Sequence, residues 1–314
     1  MKTPKLKEQT KYTLADKVDR LGNFIGNTPL FPISNLNPNK NVTIYAKLEW
    51  QQLGSSVKSR PAYQIIYDAI QRKELSRGKH LLDASSGNTG IAYAHIAAHL
   101  GISMTLCLPE NASDERKDIL KSLGVNLHLT SRGGGTDEAQ EVAKTLYENN
   151  PDKYYYADQY SNSSNWKAHY HTTGPEIIEQ TEGCITHFIA GLGTTGTFCG
   201  TGKQLKEFNP EIQLTALQPD IAMHGLEGWK HLETAIVPDI YDDTLPNEIR
   251  EVSTESAYEL IPKTARNEGL LLSPSAAANL IGALQLAKEI DEGTIVTIFP
   301  DDGSKYGETL TQII

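Results

Sequence analysis

Three cysteines in 314 residues, with no CxxC among them, support neither a disulfide framework nor a structural zinc site. Cys107, Cys184 and Cys199 are expected to be small buried hydrophobes. No run of eighteen apolar residues occurs, so no segment reads as a membrane-spanning helix. The first residues, MKTPKLKEQTKYTLADK, lack the apolar core of a secretory signal, and a cytoplasmic protein is expected. A basic excess is missing too: the formal net charge is -10, which argues against nucleic acid or an anionic membrane as the general partner. Any anion site must therefore be local. Internal repeats and low-complexity segments are also absent.

What is present is an ordinary globular composition, 39% hydrophobic and 22% charged, with length enough for two units of about 150 residues. From Val42 onward, apolar β-like runs alternate with helical patterns. Strand-like runs cover Val42 to Leu48, His80 to Ala84, Ser103 to Leu108, Val125 to Leu129, Thr186 to Ala190, Gln213 to Leu217 and Thr294 to Phe299. Helical patterns begin at Lys58, Thr89, Ser113, after Thr136, at Thr197, Thr254 and Ser275, with a kink expected near Ile261 before Pro262. Such alternation predicts parallel sheets with crossover helices, an α/β fold. Asn149 to Asp152 is the best linker. Residues before about 20 carry no clear pattern and read as an arm.

In open α/β sheets ligands collect at the carboxyl ends of strands, so the strand-to-helix loops carry the chemistry. Lys58 follows Gly54, Ser55, Ser56 and Val57 at the start of a helix, where the dipole favours a neutral, nucleophilic amine. A solvated lysine is the plain alternative. A second loop, ASSGNTG at Ala84 to Gly90, offers Ser85, Ser86, Asn88 and Thr89 as donors suited to a carboxylate, or simply caps a helix. The third, GLGTTGT, matches GxGxxG with Gly191, Gly193 and Gly196, and Asp220 lies about twenty residues on, as in a dinucleotide site. Thr194, Thr195 and Thr197 crowd it with hydroxyls, which suits a compact monophosphate equally well. Only the monophosphate reading joins all three loops: a phosphate cradle, a Schiff-base-capable lysine and a carboxylate nest describe pyridoxal phosphate with an amino acid.

With these motifs in this order, together with Gln159 and HYHTTGPEI, the chain from about Ile25 to Tyr306 resembles the pyridoxal-phosphate-dependent cysteine synthase family. Met223 to Asp242 looks most like its cysteine synthase B branch. The resemblance implies two doubly wound parallel-sheet domains of the tryptophan synthase β-like fold. A smaller, carboxylate-binding domain would span 50–152, and a larger, cofactor-binding domain 21–49 and 153–314, with residues 1–20 as an arm and no regulatory domain beyond the last strand. It implies that Lys58 forms the Schiff base and then removes the substrate α-proton. Gly193, Thr194, Thr195, Gly196 and Thr197 would hold the phosphate, Asn88 the ring hydroxyl and Ser275 the ring nitrogen. Ser85, Ser86, Asn88, Thr89 and Gln159 would hold the substrate carboxylate. The implied reaction is β-replacement on O-acetylserine or O-phosphoserine by sulfide or a thiol, through an α-aminoacrylate, in a homodimer.

Several positions depart from the family. Ser59 stands for an aspartate, Gln52 and Leu53 for asparagine-proline, and Ser273 and Ala277 for glycines beside Ser275. Asp302 replaces a serine or glycine; near the ring nitrogen it would favour a pyridinium. Lys230 occupies the place of an arginine in phosphoserine-using members, and Arg132 is a second candidate cation for a phosphate leaving group. His169 and His171 would share one face of a strand, but no third metal ligand accompanies them and no metal is expected. Trp50, Trp166 and Trp229 are expected to be packing residues rather than stacking platforms, with Trp50 and Trp229 at the border of the cleft. Cystathionine synthesis, dehydration, a silent cofactor-binding protein and an NAD-dependent oxidoreductase remain the alternatives.

Overall fold

The computed structural model describes residues 12–313. The first element is α1 (Leu14–Leu21), started by a reciprocal cap: Asp16 N–H donates to Thr13 Oγ1 at 3.1 Å and Thr13 N–H to Asp16 Oδ2 at 2.9 Å. Next come β1 (Leu30–Ile33), β2 (Val42–Leu48) and α2 (Ser59–Gln71). A strand–helix series follows as β3 (His80–Ala84), α3 (Asn88–Leu100), β4 (Met104–Pro109), α4 (Asp114–Ser122), β5 (Asn126–Thr130), α5 (Gly135–Asn149) and β6 (Tyr154–Tyr156). The chain continues through α6 (Ser164–His171), α7 (Thr173–Gln180), β7 (His187–Gly191), α8 (Gly196–Phe208), β8 (Gln213–Pro219) and β9 (Glu248–Val252). It closes with α9 (Thr254–Glu268), α10 (Pro274–Glu289), β10 (Gly293–Phe299) and α11 (Gly307–Ile313).

Two sheets form, as the alternation predicts. The smaller runs β5-β4-β3-β6 and is wholly parallel; the larger runs β1-β2-β10-β7-β8-β9, parallel except for its antiparallel edge strand β1. Strand alternation divides each sheet between two cores. In β7, Ile189 meets Leu260 and Ala276 of α9 and α10, while Phe188 and Ala190 meet Ile177, Phe198 and Leu205 of α7 and α8. In the smaller sheet Leu81 and Leu106 pack with Val18, Ile66 and Ile96, and Leu82 and Cys107 with Ala139 and Ala143 of α5.

The strand orders locate the ligand crevice. In the smaller sheet the chain moves outward from β3 to β4 and β5, then returns to the other side of β3 as β6. In the larger, β8 and β9 lie on one side of β7 and β10 on the other. Ligands bind at the carboxyl ends of strands where the winding reverses. Those ends are the loops after β3, β7 and β10.

Several elements were not legible as elements. Of the expected arm, residues 1–11 lie outside the described residues, while Leu14–Leu21 form α1, whose Val18 and Leu21 are buried with α2 and α3. Three tyrosines make β6, too short for periodicity, and although it follows the Asn149 to Asp152 linker it pairs with β3 of the smaller sheet. HYHTTGPEI is not a strand but the junction of α6 and α7. The helix expected from Thr254 is, by contrast, present as α9, with Pro262 inside it and its end at Glu268. Cys107 and Cys199 are buried as expected, whereas Cys184 is exposed on the turn before β7.

Candidate active site

A cavity of about 330 Å³ lies where the two sheets' loops meet. Lys58 lines it. After β2, Gly54 (φ +82°) and Ser55 (φ +50°) turn the chain, and Val57 N–H donates to Pro300 O at 2.8 Å, tying this loop to the end of β10. Lys58 is the N-cap residue of α2, one position earlier than a first-turn residue. Burial pushes its ammonium below the ordinary lysine range, against the opposing charges of Asp301 and Glu49. Desolvation thus favours the neutral amine.

The departures around Lys58 have structural reasons. Gln52 donates from Nε2 to Glu49 Oε2 at 2.9 Å and accepts Gly26 N–H at 2.9 Å. Ser59 is fully buried against Gly54, where a Cβ would lie 2.8 Å from Ser59 Oγ. Two residues past Lys58, Arg60 grips both Glu49 and Glu176 through nitrogen–oxygen distances of 2.7–2.8 Å. Lys47 completes the network, 2.7 Å from Glu176. Burial alone would raise the Glu176 carboxyl, yet Arg60 and Lys47 hold it at about 2.

In the second loop Ser85, Ser86, Asn88 and Thr89 all line the cavity, but Ser85 Oγ accepts the N–H groups of Gly87 and Gly90 at 3.2 Å and so serves its own turn. Thr89 Oγ1 donates to Gln159 Oε1 at 2.8 Å, and Gln159 Nε2 donates to Ala84 O at 3.0 Å, which brings Gln159 beside the loop. Asn88 Nδ2 donates to Asp301 Oδ2 at 2.8 Å, while Lys305 Nζ donates to Asn88 Oδ1 at 3.2 Å.

The third loop opens α8, where helix-terminal N–H groups await acceptors. A Cβ on Gly193 would sit 2.0 Å from Gly228 O, and one on Gly196 would sit 2.0 Å from Asn165 Oδ1. Only glycine leaves this backbone open. Thr194, Thr195 and Thr197 line the cavity, and Thr195, at φ +68°, keeps a buried Oγ1 without a partner. An orphaned buried hydroxyl on a glycine-opened helix start fits a compact phosphate. The dinucleotide reading loses its acidic partner: Asp220 does not line the cavity.

Ser275 is buried, lines the cavity, and has Oγ 3.2 Å from Ser273 Oγ. Ser273 caps α10 at φ -71°, and neither it nor Ala277 has a positive φ, so this turn accommodates non-glycine residues without strain. Asp302 caps the short turn at Gly303–Lys305 instead of facing the cavity. Lys230 lines the cavity with Nζ 5.0 Å from the Tyr160 ring centroid and 3.2 Å from Ile236 O. Arg132 is exposed and does not line it. Trp229 borders the cavity; Trp50 instead stacks on Phe299, ring centroids 6.4 Å apart. His169 is buried between Thr173 and Thr197, His171 is exposed, and no cluster able to hold a metal occurs among the described residues.

Sequence reasoning missed Asn279, Asp301, Tyr306, Arg116 and Glu227. Asn279 accepts Gly191 N–H and donates to Ile298 O, both at 2.8 Å, locking α10 to the ends of β7 and β10. Asp301 is fully buried; its Oδ2 accepts from Asn88 and from Tyr306 Oη, and its Oδ1 has no partner. Arg116 and Glu227 both line the cavity and form an ion pair, 2.6 Å apart. The strand-end rule that singled out three loops applies also to those after β4 and β10, and would have found Arg116 and Asp301.

A profile of the family described as pyridoxal-phosphate dependent enzyme matches residues 21–301. A cysteine synthase of Aquifex aeolicus is 45% identical over 289 residues, covering 90% of this chain and 88% of its own length. A cysteine synthase B of Pseudomonas aeruginosa is 37% identical over 284 residues, covering 90% and 93%. The crystal structure of a cysteine synthase from Entamoeba histolytica superimposes with a TM-score of 0.88 at 29% identity, covering 100% of this chain and 94% of that one.

Proposed function

The chain belongs to the pyridoxal-phosphate dependent enzyme family, and from that premise we propose that it replaces the β-oxygen substituent of an activated L-serine with sulfide, giving L-cysteine. One observation carries the reading: Lys58, the loop at Ser85–Thr89 and the loop at Gly193–Thr197 line a single cavity. When bound, pyridoxal phosphate supplies an electron sink for the charge left at the substrate Cα. Thr194, Thr195, Thr197 and the N–H groups opening α8 hold its phosphate. Ser275 Oγ serves its ring nitrogen as a neutral partner, and Asn88 its ring hydroxyl.

Lys58 is the residue that both anchors the cofactor and carries the Cα proton on Nζ, for which an amine biased toward neutrality at working pH is needed. Ser86 and Thr89, with Gln159 behind them, receive the substrate carboxylate. In the net exchange one Cβ–O bond is lost and one Cβ–S bond is made. Lys230 is the proposed partner of a phosphoryl substituent, since it lines the cavity beside Tyr160. We retain the homodimer, the cytoplasmic location and the two-domain division as parts of this proposal, with β6 assigned to the smaller domain by its pairing.

The test supplies purified, cofactor-loaded protein with sulfide and either O-acetylserine or O-phosphoserine and measures cysteine. Cysteine from at least one donor is expected, and none from either would refute the function. Lys230→Ala is expected to lose more activity with O-phosphoserine than with O-acetylserine; equal losses would remove Lys230 from donor selection.

A further inference from the structure

The cavity lining contains three basic side chains, Arg116, Lys230 and the buried amine of Lys58, and among the described residues a single carboxylate, Glu227. In a chain of net charge -10 this is the local inversion an anion site requires. The three are not equivalent. Lys58 is committed to carbonyl chemistry, and Lys230, whose Nζ donates to Ile236 O, is the proposed partner of the substituent while it is still on the substrate. Arg116, on α4 of the smaller sheet, has among the described residues Glu227 as its one ion-pair partner, on the loop after β8 of the larger sheet.

The two ends of that ion pair are held differently. The Arg116 side chain is 13% exposed and its guanidinium lies 5.4 Å from the centroid of Tyr306, whose Oη is fixed on Asp301. The Glu227 side chain is 45% exposed and precedes Gly228, which holds φ +83°. A guanidinium pinned over a ring keeps its position when its partner leaves, whereas a half-exposed carboxylate exchanges with an incoming oxyanion at little desolvation cost. The planar fork of arginine pairs with carboxylate and phosphate oxygens alike.

We infer that Arg116 is the receiving site for the anion that leaves the substrate, and that Glu227 occupies this site in its absence. The inference rests on the proposed β-replacement, in which the Cβ–O bond breaks with its electron pair on oxygen and an oxyanion is released inside the cavity. Arg116 takes that oxyanion, and Glu227 returns to the guanidinium when the anion departs. The pair then links α4 of the smaller sheet to the loop after β8 of the larger only while the site is free of anion.

Inorganic phosphate is the probe, titrated into cofactor-loaded protein by calorimetry, with the visible absorption of the bound cofactor recorded for every variant. Arg116→Met is expected to weaken phosphate binding roughly tenfold or more, the value of a charge-assisted hydrogen bond. Glu227→Gln is expected to strengthen it, because the competing carboxylate is gone. The opposite signs separate an anion site from a structural clasp, since breaking a clasp would loosen binding in both variants. Unchanged affinity in Arg116→Met, or weaker binding in Glu227→Gln, overturns the inference with the β-replacement reading intact. Failure of the wild-type protein to take up pyridoxal phosphate would instead overturn that reading.

Discussion

Replacing Arg60 with methionine tests how the loop carrying Lys58 is held. Arg60 and Glu49 have fully buried side chains, and Arg60 reaches both oxygens of Glu49 and both of Glu176. Methionine retains much of the volume but none of the donors. Glu176 keeps Lys47 at 2.7 Å, so its charge remains paired. For hydrogen bonds Glu49 keeps the Thr28 hydroxyl at 2.7 Å and the Gln52 amide at 2.9 Å, both neutral, while the charges of Lys47 and Lys58 act on it without a direct bond. A buried carboxylate stripped of its cation costs about 3–5 kcal/mol, which is a third or more of the stability of many domains. Adding Glu49→Gln to Arg60→Met removes the stranded charge and is expected to recover part of the loss. Urea denaturation followed by circular dichroism measures both variants. A loss below about 1 kcal/mol in Arg60→Met, or a further loss in the double variant, would refute the argument from a stranded charge.

Two other perturbations probe the loops on either side. Burial raises the Asp83 carboxyl from 3.8 to about 7, so the folded protein holds that proton longer than the unfolded chain does. Stability from this group is present at low pH and declines as pH rises from about 4 through 7, by an amount on the order of a few kcal/mol. Asp83→Asn is expected to raise the melting temperature at pH 8 and flatten its decline between pH 5 and 8; an unchanged slope would contradict it. Gly193→Ala places a Cβ 2.0 Å from Gly228 O and is expected to abolish cofactor retention while leaving the helix content by circular dichroism unchanged. Retained cofactor would show that this backbone can shift.

How much was legible follows from the range of the signals. Strands β3, β4, β7 and β10 are buried on both faces and read as continuous apolar runs, so they and the crossover helices between them stood out. The three strand-end loops carried their chemistry in contiguous residues, and the structure gathers them in one cavity. What stayed hidden depends on partners far away in the chain. Asp301 gains meaning only from Asn88, 213 residues earlier, and Arg116 only from Glu227 and Tyr306. Asp302 drew attention as a departure from the family, yet the buried carboxylate at the site is its neighbour Asp301. Strand β6 was lost because three tyrosines are too short to show a period, and α6 because the face it buries is largely polar, Ser164, Asn165 and His169 beside Ala168.

The central claim is that Lys58 holds the cofactor, and borohydride reduction of the cofactor-loaded protein followed by peptide mass spectrometry tests it directly. The added mass of reduced, lysine-linked pyridoxal phosphate is expected on the peptide containing Lys58, and none in Lys58→Ala. The same mass on another lysine, Lys230 or Lys305 included, or its persistence in Lys58→Ala, would contradict it.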